Sequence, residues 1–315
     1  MPNLSNPAAR LERTALFVPA SRYAMIEKAA RSAADAVVID LEDAVAPAEK
    51  EQARSNLVRA LREIDFGPRL RIYRINSLHS PFAYRDLIEV VEAVGDRVDL
   101  VMVPKVHGPE DLHFVDMLLT QIELYRGQER PIGIEAQIES PRGFLSIREI
   151  AAATPRLECL IYGPGDYAAA LRAPLASIGE RDSYDELYPG HRWHAVMHTI
   201  VAAARAYGLR CLDGPFAGLN ATAALEQASR TARALGFDGK QCIHPAQLQH
   251  VNQIFSPLPA EVARAEAVVQ AYAEAVAQGR GSSRFHGTMI DAANLRMAQV
   301  VLEQQQQIRH RTQSE

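Results

Sequence analysis

The stretch PIGIEAQIESPRG, residues 131–143, opens as an apolar run with isoleucine at alternate positions and ends on a carboxylate, Glu139, with Pro141 and Gly143 directly behind it. Alternating β-branched residues favour a strand, and proline and glycine stop it. A charge at the last position of a buried strand is unfavourable unless that end faces something other than core. Short β-branched or apolar runs recur in TALFVPA (14–20), DAVVIDL (35–41), RLRIYRINS (69–77), DLVMVPKV (99–106), LECLIYGPG (157–165), GLRCLDGPF (208–216) and GKQCIHP (239–245), giving eight strand-like runs. Between them lie helical segments such as SRYAMIEKAARSAA, PFAYRDLIEVVEAVG with Gly95 as a stop, and TAALEQASRTARALG with Gly236 as a stop. Strand and helix in strict alternation imply a parallel sheet. Eight such units over about 250 residues fit an α/β fold of the (β/α)8 TIM-barrel kind better than an open doubly wound sheet.

Composition narrows the partners. The 315 residues are 48% hydrophobic and 23% charged with a formal net charge of −4, enough for a large core and without the basic field that nucleic acid or an anionic membrane attracts. No apolar run approaches the roughly 18 residues of a membrane span, and MPNLSNPAARLER has no signal-peptide core, so a cytoplasmic protein acting on small molecules is expected. Cys159, Cys211 and Cys242 each fall inside an apolar run without CxxC spacing and read as core thiols.

Two stretches depart from the alternation. Residues 167–190 form a polar excursion longer than an ordinary βα loop, part of which is expected to cover a site. Beyond residue 257 the barrel count is complete, which predicts a catalytic domain over 13–257 and a C-terminal helical extension over 258–315. In that extension PAEVARAEAVVQAYAEAVAQ and TMIDAANLRMAQVVLEQQQQ read as helices, GRGSSRFHG as a Gly/Ser-rich hinge, and RHRTQSE as disordered.

Polar residues gather at the carboxyl ends of the runs: Glu42 and Asp43, Arg74 and Asn76, Lys105, Glu139, Asp166, Asp213 and His244. In a parallel barrel those ends share one face, where active sites are built. Carboxylates brought together repel, and a shared cation removes that cost. Magnesium, held by one or two carboxylates with substrate oxygens in its remaining positions, suits the set. Glu139 and Asp166, on adjacent strands, are the expected direct ligands, with Glu42 and Asp43 bound through water. The glycines of GPGD leave room beside Asp166, and Arg74 offers a planar fork for a substrate carboxylate. Lys105 as a Schiff base is disfavoured, because neighbouring carboxylates raise a lysine pKa. The spacing of His191, His194 and His198 admits zinc on a helix face, but without an HExxH pattern a helix packing through Trp193 and Val196 is the better reading.

Taken in order, RTALFVPASRYAMIEKA, VVIDLEDAVAPAEKEQAR, YRINS, VMVPKV, IESPRG, GPGDYAA, LDGPF, GFDGKQCIHPAQ and GTMIDAANLRMA resemble the citrate lyase beta subunit and malyl-CoA lyase group of the HpcH/HpaI aldolase superfamily over about residues 13–305. SPFAYRDLIEVVEAVGDRVD, RWHAVMHTIVAAAR and the tail are most similar to L-malyl-CoA/β-methylmalyl-CoA lyases. The resemblance implies a carbon–carbon lyase that cleaves or forms a 3-hydroxyacyl-CoA such as malyl-CoA, using Mg2+ or Mn2+. It implies that Glu139 and Asp166 bind the metal and that Arg74 binds the substrate's carboxylate or carbonyl end. Phe17, Arg22, Lys28, Gly165, Ile243 and His244 match coenzyme A positions. Asp291 matches an acid delivered by the C-terminal arm of a neighbouring subunit in a trimer or dimer of trimers. FVPAS carries Ala20 where the family loop has glycine. The same enolate chemistry admits a malyl-CoA thioesterase, a citramalyl-CoA or citryl-type lyase, or an oxyacid aldolase without coenzyme A; a non-catalytic barrel that senses a CoA metabolite is the reading from another class.

Overall fold

The computed structural model describes residues 10–188 and 191–313. The chain divides after Phe255 into two compact units. In chain order the first contains β1 (Thr14–Pro19), α1 (Tyr23–Ala30), β2 (Ala36–Asp40), α2 (Lys50–Glu63), β3 (Leu70–Arg74), α3 (Ala83–Val94), β4 (Leu100–Val103), α4 (Pro109–Arg126), β5 (Gly133–Ile138), α5 (Pro141–Leu145), α6 (Ile147–Ala151), β6 (Leu157–Tyr162), α7 (Pro164–Leu171), α8 (Ser183–Leu187), α9 (His194–Ala206), β7 (Arg210–Asp213), α10 (Thr222–Leu235), β8 (Gly239–Cys242) and α11 (Leu248–Ile254). The eight strands pair in parallel in sequence order, and β1 pairs with β8, so the sheet closes into the expected barrel.

Closure follows from burial on both faces, as in β2 and β6, every residue of which is buried. Val37, Ile39, Tyr73 and Ile134 point out under the helices, while Ala15, Val38, Ile72, Met102, Ile161 and Leu212 fill the interior. α3 and α10 turn their apolar stripes onto the barrel. Gly236, with φ +103, ends α10 in the left-handed conformation.

The amino-terminal end of the barrel is closed by buried charge. Arg210 places Nη2 at 3.1 Å from Glu12 and 3.0 Å from Glu135, and Nη1 at 3.1 Å from Glu158, which also pairs with Arg10 at 2.8 Å. Three carboxylates thus face two guanidiniums. Glu12 Oε1 and Glu135 Oε2 are buried without partners, an arrangement one proton resolves. Burial, then the Glu135 charge, raises the Glu12 carboxyl well above its ordinary range against the pull of Arg210. Stability that rests on a raised carboxyl is fully present below its unfolded pKa and lost as pH rises through the folded one. Melting curves taken as pH rises above the ordinary carboxylate range are therefore expected to show Tm falling less for Glu12→Gln than for the parent protein. Parallel curves would contradict the shared proton.

The second unit packs α12 (Pro259–Ala277) on α13 (Ala292–Gln313) around Ala265, Val268, Ile290 and Ala298, with β9 (Ser283–Phe285) and β10 (Thr288–Ile290) as an antiparallel ribbon between them in sequence. Two expectations are corrected here. The glycine-rich hinge is in part this hairpin, whose two-residue turn has His286 at φ 47 and Gly287 at φ 82, the positive pair that such a turn requires. The tail from residue 309 continues α13 to Gln313 rather than lying disordered, while residues 314 and 315 fall outside the described chain. No helix is long and apolar enough to cross a membrane among the described residues. The three cysteines are free and buried.

Candidate active site

At the carboxyl ends of the strands lies an open cleft of about 270 Å³, lined by Phe17, Asp43, Arg74, Gln137, Glu139, Gly163, Gly165, Asp166, Ile178, Gln241 and Ile243 among others. Most of the expected site residues meet there. Arg74, the last residue of β3, is buried and held bidentately by Asp40 at the end of β2, with Nε–Oδ1 and Nη2–Oδ2 both 2.7 Å. Its Nη1 lies 3.1 Å from Glu42 and 3.8 Å from Asp43, and its guanidinium stands 5.2 Å from the centre of the Phe17 ring. Burial pushes the Asp40 carboxyl up, but Arg74 and the amides of Glu42 and Ala44 outweigh it and hold Asp40 below the usual range.

Glu139 follows β5 and is buried. Its Oε1 accepts the Lys105 backbone N–H at 2.6 Å. Lys105 reaches that geometry with φ 53, a left-handed conformation that a side-chain-bearing residue adopts only when its surroundings enforce it. Lys105 Nζ pairs with Glu42 at 2.9 Å and Asp43 at 3.2 Å. Burial alone would lower the Lys105 ammonium, but Glu42, Asp43 and Asp166 raise it above its ordinary value, which excludes a neutral amine poised for Schiff-base chemistry. Gly163 is required for space, because a Cβ there would collide with Cβ and Oε2 of Glu139.

The acids outnumber the bases. Burial, with the charges of Glu42 and Asp166, pushes the Glu139 carboxyl up to about 8 despite Arg74. Burial and Asp43 push Glu42 up to about 7 although Arg74 and Lys105 both pull it down. Glu42, Asp43, Glu139 and Asp166 against Arg74 and Lys105 form a site whose self-repulsion a hard divalent cation relieves, with oxygen donors of the type magnesium prefers. The donor set therefore fits the metal, and Asp166 stands exposed in the first turn of α7 with its charge felt at both Glu139 and Lys105.

Other expected residues lie elsewhere. Arg22 precedes α1 and Lys28 sits in its last turn, both exposed and outside the cleft lining. His244 is exposed and accepts the Ala246 N–H at 3.2 Å through Nδ1, while its neighbour Ile243 lines the cleft. Asp291 belongs to the second unit, exposed just ahead of α13, its Oδ1 accepting the Ala293 N–H at 2.8 Å. Asn76 and Asp213 do not line the cleft: Asn76 binds Asp86, and Asp213 is buried in an ion pair with Lys240. Ala20 needs no glycine, since its φ is not positive and its N–H donates to the Asp40 backbone carbonyl at 2.9 Å. His191 precedes α9, so the three histidines do not share a helix face, and among the described residues they form no group of converging ligand atoms. Val196 is buried and Trp193 packs edge-on to Tyr167. Of the excursion, Ile178 lines the cleft.

Sequence reasoning missed Asp40, the residue that fixes Arg74, and Gln137, one period-2 step below Glu139 on β5. Both carry a strand-end signal, but Asp40 was absorbed into the apolar run VVID.

The model of the HpcH/HpaI aldolase/citrate lyase family matches residues 13–245, the stretch that carries every cleft element just described. The chain belongs to that family. An L-malyl-CoA/beta-methylmalyl-CoA lyase of Cereibacter sphaeroides is 39% identical over 308 residues, covering 96% of this chain and 97% of the relative. A (3S)-malyl-CoA thioesterase of the same species is 35% identical over 290 residues, covering 92% of this chain and 93% of its own length. Among solved structures, CitE of Mycobacterium tuberculosis in complex with magnesium, acetoacetate and coenzyme A superposes with a TM-score of 0.73 at 29% identity, covering 94% of this chain and 98% of CitE.

Proposed function

We propose that this protein is a Mg2+-dependent carbon–carbon lyase that cleaves, or forms, a 3-hydroxyacyl-CoA thioester such as malyl-CoA, with glyoxylate and acetyl-CoA on the other side of the reaction. The observation that carries the reading is the pairing of a buried, pre-oriented arginine, Arg74, with an over-acidic cleft around Glu139, in a chain similar over nearly its whole length to malyl-CoA lyases. A magnesium ion held by Glu139 and Asp166 supplies Lewis-acid polarisation and a template for substrate oxygens; manganese has the same ligand preference.

The chain's own groups do the rest. Arg74, locked by Asp40, binds the substrate's carboxylate and stabilises oxyanion charge as it develops. Glu42, its carboxyl pushed up by burial to about 7, is matched to taking the hydroxyl proton near neutral pH, and Asp43 stands beside it, paired with the same Lys105. Loss of that proton breaks the carbon–carbon bond and leaves the enolate of acetyl-CoA. Asp291, from the C-terminal arm of a neighbouring subunit in a trimer or dimer of trimers, protonates the enolate carbon, or removes that proton in the condensing direction. Phe17, Arg22, Lys28, Gly165, Ile243 and His244 hold coenzyme A. The barrel over 13–257 is the catalytic domain and 258–315 the arm. The three free thiols suit a reducing cytoplasm.

Incubation with malyl-CoA and Mg2+, with glyoxylate and free thiol followed separately, is expected to give glyoxylate without free thiol. Thiol without glyoxylate would make the protein a thioesterase instead. Co-expression of Glu139→Gln and Asp291→Asn chains, each inactive alone, is expected to restore part of the glyoxylate production in mixed oligomers. No recovery would place Asp291 in its own subunit's site or outside the reaction.

A further inference from the structure

The walls of the cleft divide by polarity. Asp43, Arg74, Glu139 and Asp166, at or just beyond the carboxyl ends of β2, β3, β5 and β6, make one side charged. Pro215 beyond β7, Ile243 beyond β8 and Phe17 on β1 make the other side apolar. One further aliphatic side chain is left unused by the chemistry above. Ile178, carried by the segment between α7 and α8, lines the cleft and packs on Gly165, where a Cβ would lie 2.9 Å from its Cδ1. Gly165 directly precedes Asp166, so the tip of Ile178 rests against the backbone beside a proposed metal ligand. Its own backbone is pinned. The Ile178 carbonyl accepts the Ala217 N–H at 2.9 Å, and Gly179, with φ +79, sits so close to the loop after β7 that a Cβ there would lie 2.6 Å from the Pro215 carbonyl oxygen. A β-branched side chain is stiff at χ1, so Ile178 on this backbone resists turning aside.

The hydroxyl-bearing carbon of the substrate has four bonds to place. Its oxygen and its carboxylate belong to the charged side of the cleft, and the carbon–carbon bond that breaks leads to the thioester. The fourth bond carries hydrogen or a carbon substituent, and it is left to face an apolar group. Ile178 is the aliphatic side chain packed beside Asp166. We propose that Ile178 is a specificity-determining residue that restricts the site to thioesters whose hydroxyl-bearing carbon carries hydrogen, so that the oxo acid released is an aldehyde and not a ketone. The proposal rests on the lyase reading of the cleft. A pocket already in contact around hydrogen rejects a methyl group by overpacking, and one carbon more or less in an apolar pocket changes specificity by about 10- to 200-fold.

The test compares cleavage of malyl-CoA with cleavage of each enantiomer of citramalyl-CoA, whose hydroxyl-bearing carbon carries a methyl group. Glyoxylate and pyruvate release are read as kcat/KM in Mg2+ for the full-length parent, Ile178→Val and Ile178→Ala, with Tm recorded for each. The parent should prefer malyl-CoA by at least about tenfold. Ile178→Ala should narrow that preference by about tenfold or more through a gain in pyruvate release, with Ile178→Val in between. A preference unchanged in both variants, equal loss of both activities in both variants, or a parent that cleaves the two substrates equally well overturns the role of Ile178 while leaving the lyase reading intact. A parent that releases no glyoxylate from malyl-CoA overturns the lyase reading itself and the proposal with it.

Discussion

Glu139→Gln is expected to lower Mg2+-dependent cleavage of malyl-CoA by on the order of 10³-fold, about 4 kcal/mol of transition-state stabilisation, with Tm unchanged or slightly raised. The two outcomes separate because the substitution acts differently on fold and chemistry. For the fold, Gln retains an oxygen that accepts the Lys105 N–H, and it removes a charge whose carboxyl burial, Glu42 and Asp166 already push up to about 8. For the chemistry, it removes an anionic oxygen donor from a site that takes a hard cation. Turnover measured alongside thermal melting checks both, and severe unfolding with proportionate activity loss would make Glu139 structural.

Arg74→Ala is expected to fail in both respects. Asp40, 1% exposed, and Glu42, 5% exposed, lose the guanidinium they share, and removing one partner of a buried ion pair costs about 3–5 kcal/mol. For a protein of this size that lowers Tm by roughly 10 °C. Adding Asp40→Asn to Arg74→Ala should recover much of the Tm and none of the activity, since it removes the stranded charge without restoring the fork. The sign of the pH effect follows from Asp40: held below the usual range, its pairing contributes above the unfolded carboxylate pKa and is lost as pH falls through the folded value. The single variant should therefore approach the parent in stability under acid conditions. A single variant as stable as the parent at neutral pH would show that the pair carries little of the fold.

Much of this was legible in the sequence because it was repetitive. Eight apolar runs, seven of them ending in polar residues, encode a parallel barrel and its functional face together, and Glu139, Asp166, Arg74 and Asp43 came to one cleft as the register implied. What escaped was set by contacts between distant segments. Asp213 ends its strand like Glu139 does, but Lys240 from β8 claims it. Asp40 reads as a strand residue until Arg74 is seen against it. The left-handed Lys105 carries no local mark such as glycine, and the Gly/Ser-rich segment became a hairpin because His286 and Gly287 supply the turn while Phe285 and Ile290 pack in the second unit. Hairpin pairing is not a compositional property.

Two of the cleft's acids, Glu139 and Glu42, are held toward their protonated forms by burial and by neighbouring carboxylates until a divalent cation pairs them. Burial and neighbouring carboxylates raise Glu139 to about 8 and Glu42 to about 7, so Mg2+ must displace protons and its affinity must rise with pH up to about 8. Calorimetric titration of the protein with Mg2+ near pH 7, in two buffers of different ionisation enthalpy, reads this directly. Net proton release that fades above about pH 9 is the predicted result. Mg2+ binding without proton release, at an affinity flat from about pH 6 to pH 9, would contradict it.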